Sequence, residues 1–130
     1  AAIRAPRLDK DRCRSMSADR SDSLLLEDII EAVDQILLYT EEMNLHGFLD
    51  NRLVQDGVIR NFMIIGEAVK RLSSTTREMH ADVPWKRMAG MRDKLVHDYL
   101  GIDKVAVWLT VERVLPVAKE RLAEIREGMD

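Results

Sequence analysis

The stretch NRLVQDGVIRNFMIIGEAVKRLS (residues 51–73) decides the fold, because its apolar residues recur at intervals of three and four. This periodicity predicts one buried face of an α-helix, made of Val54, Val58, Phe62, Ile65, Val69 and Leu72. Asp50 is the predicted N-cap of this helix. The same pattern over Leu26, Ile29, Ile30, Val33, Ile36 and Leu37 predicts an earlier helix at residues 24–43, with Asp22 or Ser23 as its N-cap.

The rest of the chain also has a helical pattern and no strand signal. Residues 44–50 are predicted to form a loop because they contain Gly47. Four further helical segments are predicted, at residues 76–81, 84–88, 90–100 and 104–127. Gly101 would end the third of these and Asp103 would cap the fourth, while Pro116 should kink the fourth or split it in two. The sequence therefore predicts an all-α fold, a four- to five-helix up-and-down bundle.

The composition predicts one helical domain that is stable without disulfide bonds. Of 130 residues, 46% are hydrophobic, and six glycines and three prolines interrupt the chain rarely. The longest apolar run is far shorter than the ~20 residues of a membrane span, and the charged N-terminal part has no apolar signal region. The lone Cys13 excludes an internal disulfide and fits a reducing compartment. We therefore expect a cytoplasmic protein without a membrane partner.

Charge is distributed unevenly along the chain, whose net value is −3. Residues 1–20 contain six Arg or Lys and three Asp, and they show no hydrophobic periodicity. We predict that residues 1–21 are a disordered basic extension and that residues 22–130 form the domain. Because the folded part is acidic, sequence-blind binding along a nucleic-acid backbone is disfavoured, and any RNA contact should be local.

The richest chemistry lies in MRDKLVHDYLGID (residues 91–103), where Arg92, His97 and Tyr99 form an Arg-x4-His-x-Tyr array. A permanent cation, an imidazole that titrates near neutrality and a phenol together suit phosphodiester chemistry. Arg92 would hold the scissile phosphate and stabilise the charge of the transition state. His97 would act as general acid or base.

Two further residues have supporting roles in this hypothesis. Asp93 lies one turn before His97 and could fix its tautomer by accepting its other ring proton. Tyr99 could position the substrate or be modified itself, and it shares a helical face with Arg92, seven residues earlier. No spacing of Cys or His predicts a metal site, so no cofactor is expected. The competing interpretation is that all these residues cap carbonyls or form surface pairs.

Helix geometry separates the proposed catalytic pair. His97 follows Arg92 by five residues, which is a rotation of about 140° on a regular helix. Either the helix tightens or unwinds near His97, or two copies of the motif meet across a two-fold axis. We favour the second arrangement, a homodimer whose protomers complete the site together.

Other conspicuous residues have simpler interpretations. Trp85 and Trp108 are predicted to be core or interface anchors. Gly66, inside the second long helix, is predicted to allow close helix packing. His46 and His80 are predicted to be solvated.

Four stretches in this order resemble the HepT-like toxins of the HEPN superfamily, small helical proteins encoded beside a minimal nucleotidyltransferase. They are LEDIIEAVDQI (26–36), FLDNRLVQDGVIRNFMIIGEAVKRL (48–72), VPWKRMAGMRDKLVHDYLGID (83–103) and VWLTVERVLPVAKERL (107–122). The resemblance covers residues 22–127 and leaves out the basic extension. The string WKRMAGMRDKLVHDYLGID is far more specific than the short array alone.

This resemblance implies a metal-independent endoribonuclease that is active as a dimer and serves as the toxin of a toxin–antitoxin system. It places the catalytic pair on Arg92 and His97, and the polar residue that follows the arginine on Asp93. It further implies that Tyr99 accepts AMP from an MntA-type minimal nucleotidyltransferase, the antitoxin, which silences the toxin. No catalytic role is carried over to Glu67.

The alternative function is a non-catalytic helical module that binds a nucleotidyltransferase, with Arg92 as a phosphate contact. A purely structural helical dimer is a further possibility. The intact Arg92, His97 and Tyr99 favour the enzyme, because a scaffold has no evident need for all three.

Overall fold

The computed structural model describes residues 18–97 and 103–129, and the side chains of residues 21–95 and 103–128. Within these residues the fold is made of α-helices, without strands. In chain order they are α1 (Ala18–Tyr39), α2 (Leu45–Leu49), α3 (Arg52–Arg71), α4 (Ser74–Met79), α5 (Trp85–His97), α6 (Lys104–Arg113) and α7 (Leu115–Met129). The all-α prediction is confirmed. None of these helices has the length and apolar character that crossing a membrane requires.

Helix α3 lies at the centre of the bundle, between α1 and α5. Of its predicted apolar face, Val54 is half-buried and the other five residues are buried. The end of α1 contacts the start of α3, because the ring of Tyr39 lies against Gly57. The start of α1 contacts Ser73, two residues after the end of α3, where Asp22 accepts a hydrogen bond from the Ser73 N–H. The two helices are therefore antiparallel, as in an up-and-down bundle.

Helix α7 packs on the other side of α1, also antiparallel. Lys119 Nζ lies 3.2 Å from Asp34 Oδ1, and Arg126 Nη1 lies 3.8 Å from Glu27 Oε1. The predicted effect of Pro116 is confirmed, because the last helical segment is split at Val114 into α6 and α7. Proline has no N–H to donate to the carbonyl four residues earlier, which favours this break.

Helix α5 is one continuous helix, although two segments at residues 84–88 and 90–100 were predicted. Gly90 does not interrupt it, because the buried side chains of Met88, Met91 and Leu95 continue along one side. Their burial outweighs the cost of about 1 kcal/mol that a glycine adds to a helix interior. The predicted end at Gly101 lies outside the described residues.

The predicted start of α1 was wrong. The helix begins at Ala18, before the predicted residue 24. Residues 1–17 lie outside the described part, and the boundary between an extension and the domain stays a prediction. Asp22 is not an N-cap of α1 but a buried residue that binds the N-terminus of α4. Its carboxylate accepts hydrogen bonds from the Ser73 backbone N–H at 3.1 Å, from Ser73 Oγ at 2.6 Å and from Thr76 Oγ1.

The predicted loop at residues 44–50 contains the short helix α2, whose N-cap is Asn44. Its Phe48 is buried and packs against Trp108, with ring centroids 5.4 Å apart. Gln55 donates hydrogen bonds to the carbonyls of Phe48 and Leu49 at 2.8 and 3.0 Å and so satisfies the end of α2. This anchoring explains why a helix forms despite Gly47.

Helix caps follow the predictions closely at two positions. The cap of α3 is Asn51, one residue after the predicted Asp50, and its Oδ1 accepts from the Val54 N–H at 3.0 Å. Asp103 caps α6, as predicted, through a 3.0 Å bond from the Ala106 N–H.

The aromatic anchors and the other histidines are also placed by the fold. Trp85 and Trp108 are buried in the core, as predicted, and Trp85 Nε1 donates to the His80 carbonyl at 3.0 Å. His46 is exposed, as predicted. His80 is half-buried, because it ends α4 beside Trp85.

Replacing Asp22 with alanine should lower the free energy of unfolding by about 2 kcal/mol, because it leaves buried donors on Ser73 and Thr76 without an acceptor. Urea titration of this variant beside Asp28→Ala, an exposed position on the same helix, measures the effect. Equal stabilities of the two variants would contradict this role of Asp22.

Candidate active site on helix α5

Arg92 lies where α5 crosses α3, directly over Gly66. A Cβ atom at position 66 would lie 2.7 Å from Arg92 Cδ, 3.0 Å from its Cγ and still closer to its Cβ. These distances are too short for real carbon atoms. The prediction that Gly66 allows close helix packing is therefore confirmed, and the side chain it accommodates is that of Arg92.

The contact with Gly66 places the guanidinium of Arg92 at the surface while its aliphatic stem packs on α3. The side chain is 28% exposed. Its Nη2 lies 3.8 Å from Glu67 Oε2, and its Nη1 lies 3.7 Å from Asp93 Oδ1. Both distances exceed hydrogen-bond length. Among the described residues, these two carboxylates are the ion-pair partners of Arg92, and neither forms a close bidentate pair with it.

A second ion pair connects α5 to α3 beside Arg92. Lys70 Nζ donates to Asp93 Oδ1 at 2.9 Å, and both side chains are about half-exposed. An exposed pair of this kind contributes at most about 1 kcal/mol. Negative and positive side chains therefore alternate along the contact between α3 and α5, in the order Glu67, Arg92, Asp93 and Lys70. The immediate surroundings of Arg92 are therefore close to neutral.

Of the other motif residues, His97 is described by its backbone alone. Helix α5 stays helical through His97, the last residue described before position 103, so positions 92 and 97 differ by about 140° around the axis. The side chain of His97 and all of Tyr99 lie outside the described residues. The predicted contact between Asp93 and His97 lies outside them as well. Residues 98–102, where unwinding was considered, are not described either.

Metal-ligating residues are sparse in the part of the chain that the structure describes. No group of three or more His, Cys, Asp or Glu side chains is close enough there to hold a metal ion.

Sequence reasoning missed the contribution of α3 to this site. Glu67 and Lys70 received no role, yet they bracket Arg92 and Asp93 across the helix contact. One signal was available, namely a glycine inside a strongly amphipathic helix with charged residues one and four positions later. Nothing in the sequence, however, pairs that glycine with Arg92.

Replacing Gly66 with alanine should separate α3 and α5 locally and lower the free energy of unfolding by about 1–3 kcal/mol, because the new methyl group meets the stem of Arg92. Gly128→Ala is the matched control, since a Cβ at that helical position meets nothing within 4 Å. Chemical denaturation of both variants measures the difference. A Gly66→Ala protein as stable as the control would show that the close contact is dispensable.

Comparisons with known proteins bear on the family to which the chain belongs. Residues 29–125 match the family described as ribonuclease HepT-like. "Probable ribonuclease HepT" of Thermococcus cleftensis is 40% identical over 108 residues, which are 83% of this chain and 98% of the relative. Two proteins of Methanocaldococcus jannaschii, named as candidate RNases, are 37% and 38% identical over 105 residues, 81% of this chain and 90% and 87% of theirs.

No solved structure gives a significant match to the chain. The family match covers most of the domain, including the helix that carries Arg92 and His97. The predicted resemblance and the prediction of an RNA-cleaving enzyme are thus confirmed: the chain belongs to the HepT-like ribonuclease family.

Proposed function

We propose that this ribonuclease is a metal-independent endoribonuclease in which Arg92 and His97 are the catalytic residues, and that it is the toxin of a toxin–antitoxin pair. The observation that supports the proposal is the close packing of the Arg92 stem on Gly66. It fixes the stem of the arginine while the guanidinium stays partly exposed and beyond hydrogen-bond length of its two carboxylate neighbours. Such a group can exchange weak internal partners for a phosphate.

Arg92 would bind the non-bridging oxygens of the scissile phosphate. The negative charge on these oxygens grows as the phosphorus becomes five-coordinate, so a preorganised cation stabilises the transition state more than the ground state. Rigid packing of the stem lowers the entropy that would otherwise be lost when the guanidinium is positioned.

His97 would move the protons of the reaction. Without a metal ion to activate water, the nearest nucleophile is the 2′-hydroxyl beside the scissile phosphate. The imidazole takes the proton of this hydroxyl, whose oxygen attacks phosphorus. The bond from phosphorus to the 5′-oxygen then breaks, and this oxygen takes a proton from the imidazolium. The products are then a 2′,3′-cyclic phosphate and a 5′-hydroxyl end.

The proposed active unit is a homodimer. Because α5 is regular through His97, positions 92 and 97 lie on different sides of one helix. Two copies of α5 that meet across a two-fold axis would bring the arginine of one protomer towards the histidine of the other. This arrangement is the second of the two considered from the sequence.

Regulation would act through Tyr99. We assign to this tyrosine the acceptor role for AMP, transferred by an MntA-type nucleotidyltransferase antitoxin in the cytoplasm, where RNA and ATP are both available. Tyr99 follows Arg92 by seven residues, a spacing that would put the two on one side of a helix that included both. The phosphate of the bound AMP would compete with RNA for the guanidinium.

Replacing Arg92 with alanine should lower the cleavage rate of a cellular RNA pool in EDTA by about 10²–10³-fold, because a transition-state charge is lost. His97→Ala should lower it by about 10²–10⁴-fold. Arg52→Ala is the matched control, since Arg52 is an exposed cation at the start of α3. Gel analysis of the RNA measures all four proteins, after intact mass has shown that they carry no AMP.

Two results would contradict the proposal. A folded His97→Ala protein that still cuts would remove the imidazole from the chemistry. A wild-type protein that cuts nothing while unmodified would favour the non-catalytic module that binds a nucleotidyltransferase.

Replacing Tyr99 with phenylalanine should abolish AMP transfer, because the acceptor hydroxyl is absent. Co-expression with the nucleotidyltransferase encoded beside the gene, followed by intact-mass analysis, measures the modification. Tyr39→Phe serves as the control, since Tyr39 is an exposed tyrosine in the described part of the chain. Retention of the AMP mass on Tyr99→Phe would refute the assignment.

A further inference from the structure

A groove between α5 and α6 is lined by three cationic side chains. Its volume is about 340 Å³, in the range of small-molecule sites. Arg87 and Lys94 line it from α5 and Arg113 lines it from α6. No carboxylate is among its described lining residues.

The cations of this groove have few internal partners. Within the described residues, neither Arg87 nor Lys94 has a carboxylate within 4 Å, and Arg113 Nε lies 3.9 Å from Glu112 Oε1 on the exposed side of α6. In a chain with a net charge of −3, this local excess of positive charge favours binding of an anion.

The floor of the groove differs chemically from its rim. Met91 is buried, Leu109 and Thr110 are half-buried, and all three line the groove. An apolar floor below separated cations fits a flexible ligand that alternates phosphates with flat, partly apolar groups. Single-stranded RNA is such a ligand, since its bases can pack on apolar side chains while its phosphates meet Arg and Lys.

The groove is near position 97 along α5 but lies on a different side of that helix from Arg92 of the same chain. Lys94 follows Arg92 by two residues, a rotation of about 200°, and is rotated from position 97 by only about 60°. Arg87, Met91 and Lys94 recur at helical spacing on α5, the helix that also bears Arg92 and His97. Lys94 precedes His97 by only three residues. A strand in the groove would therefore run along α5 towards the end that carries the proposed acid–base group.

The ion pairs around Arg92 suggest that RNA affinity comes from a second surface. Glu67 and Asp93 offset the charges of Arg92 and Lys70, so that site alone offers little long-range attraction for a polyanion. We propose that the groove between α5 and α6 binds the backbone of single-stranded RNA beside the scissile bond and supplies the affinity that the Arg92 site lacks. This inference rests on the proposed ribonuclease function.

The test compares two triple variants with equal changes in net charge. The groove variant is Arg87→Gln/Lys94→Gln/Arg113→Gln. The control is Arg52→Gln/Lys119→Gln/Arg126→Gln, whose exposed or partly exposed side chains lie outside the groove. Both are made in the His97→Ala protein, and binding of a fluorescent single-stranded RNA is followed by anisotropy at several salt concentrations.

The groove variant should bind RNA at least about tenfold more weakly than the control. The slope of log K against log salt should fall by about 2, because each single-strand phosphate contact contributes about 0.7. In the cleavage-competent protein, the groove variant should raise KM about tenfold and change kcat by less than about twofold, as expected for loss of uniform binding.

Equal RNA binding by the two triple variants, or no RNA binding by the His97→Ala protein, would overturn the assignment of the groove. Groove-dependent binding of a polyglutamate peptide in place of RNA would overturn it too, in favour of an acidic protein partner. These results are distinct from failure of the proposed function, in which wild-type protein binds RNA through the groove but does not cut it.

Discussion

The close contact between Gly66 and the stem of Arg92 is the constraint on which the site depends. A hydrogen at position 66 lets α5 approach α3 closely enough for the aliphatic part of the arginine to lie on the α3 backbone. Long cationic side chains commonly bury their stems and keep the charge in water. Here that ordinary behaviour fixes the position of a group whose proposed function is to meet a phosphate.

The rest of the bundle fixes the position of α5 relative to α3. Helix α1 packs antiparallel on α3, and its buried Asp22 binds the start of α4, the segment that leads from α3 into α5. Arg121 on α7 bonds to Asp82 in the connection between α4 and α5. This hydrogen bond lowers the pKa of the Asp82 carboxyl. Movement of α5 relative to α3 therefore disturbs contacts at both ends of the connecting segment.

Much of the fold followed from local patterns, because the apolar faces of α1 and α3 are periodic and Asp103 offers a capping side chain. The errors had non-local causes. The start of α1 was misplaced because Asp22 is bound by Ser73 and Thr76, about fifty residues later in the chain. Helix α5 was divided in two because the burial of Met88 and Met91 against the core is invisible in the sequence.

For the site, the reactive residues could be predicted from the sequence, but the residues that surround Arg92 could not. Arg92 and Asp93 stand out because they belong to the Arg-x4-His-x-Tyr array, whereas Glu67 and Lys70 look like an ordinary solvated face of α3. Their relation to Arg92 depends on which faces of two helices meet, and no single-helix pattern contains that information. The groove lined by Arg87, Lys94 and Arg113 likewise exists only once α6 lies beside α5.

The most direct test of this account is the single-turnover rate of RNA cleavage by Gly66→Ala, measured beside Gly128→Ala at a temperature where both proteins are folded. The account predicts a loss of about 100-fold for Gly66→Ala alone, because a displacement of about 1 Å in a catalytic group has an effect of that size. A fully active, folded Gly66→Ala protein, together with an inactive Arg92→Ala protein, would show that Arg92 acts without close packing of its stem on Gly66.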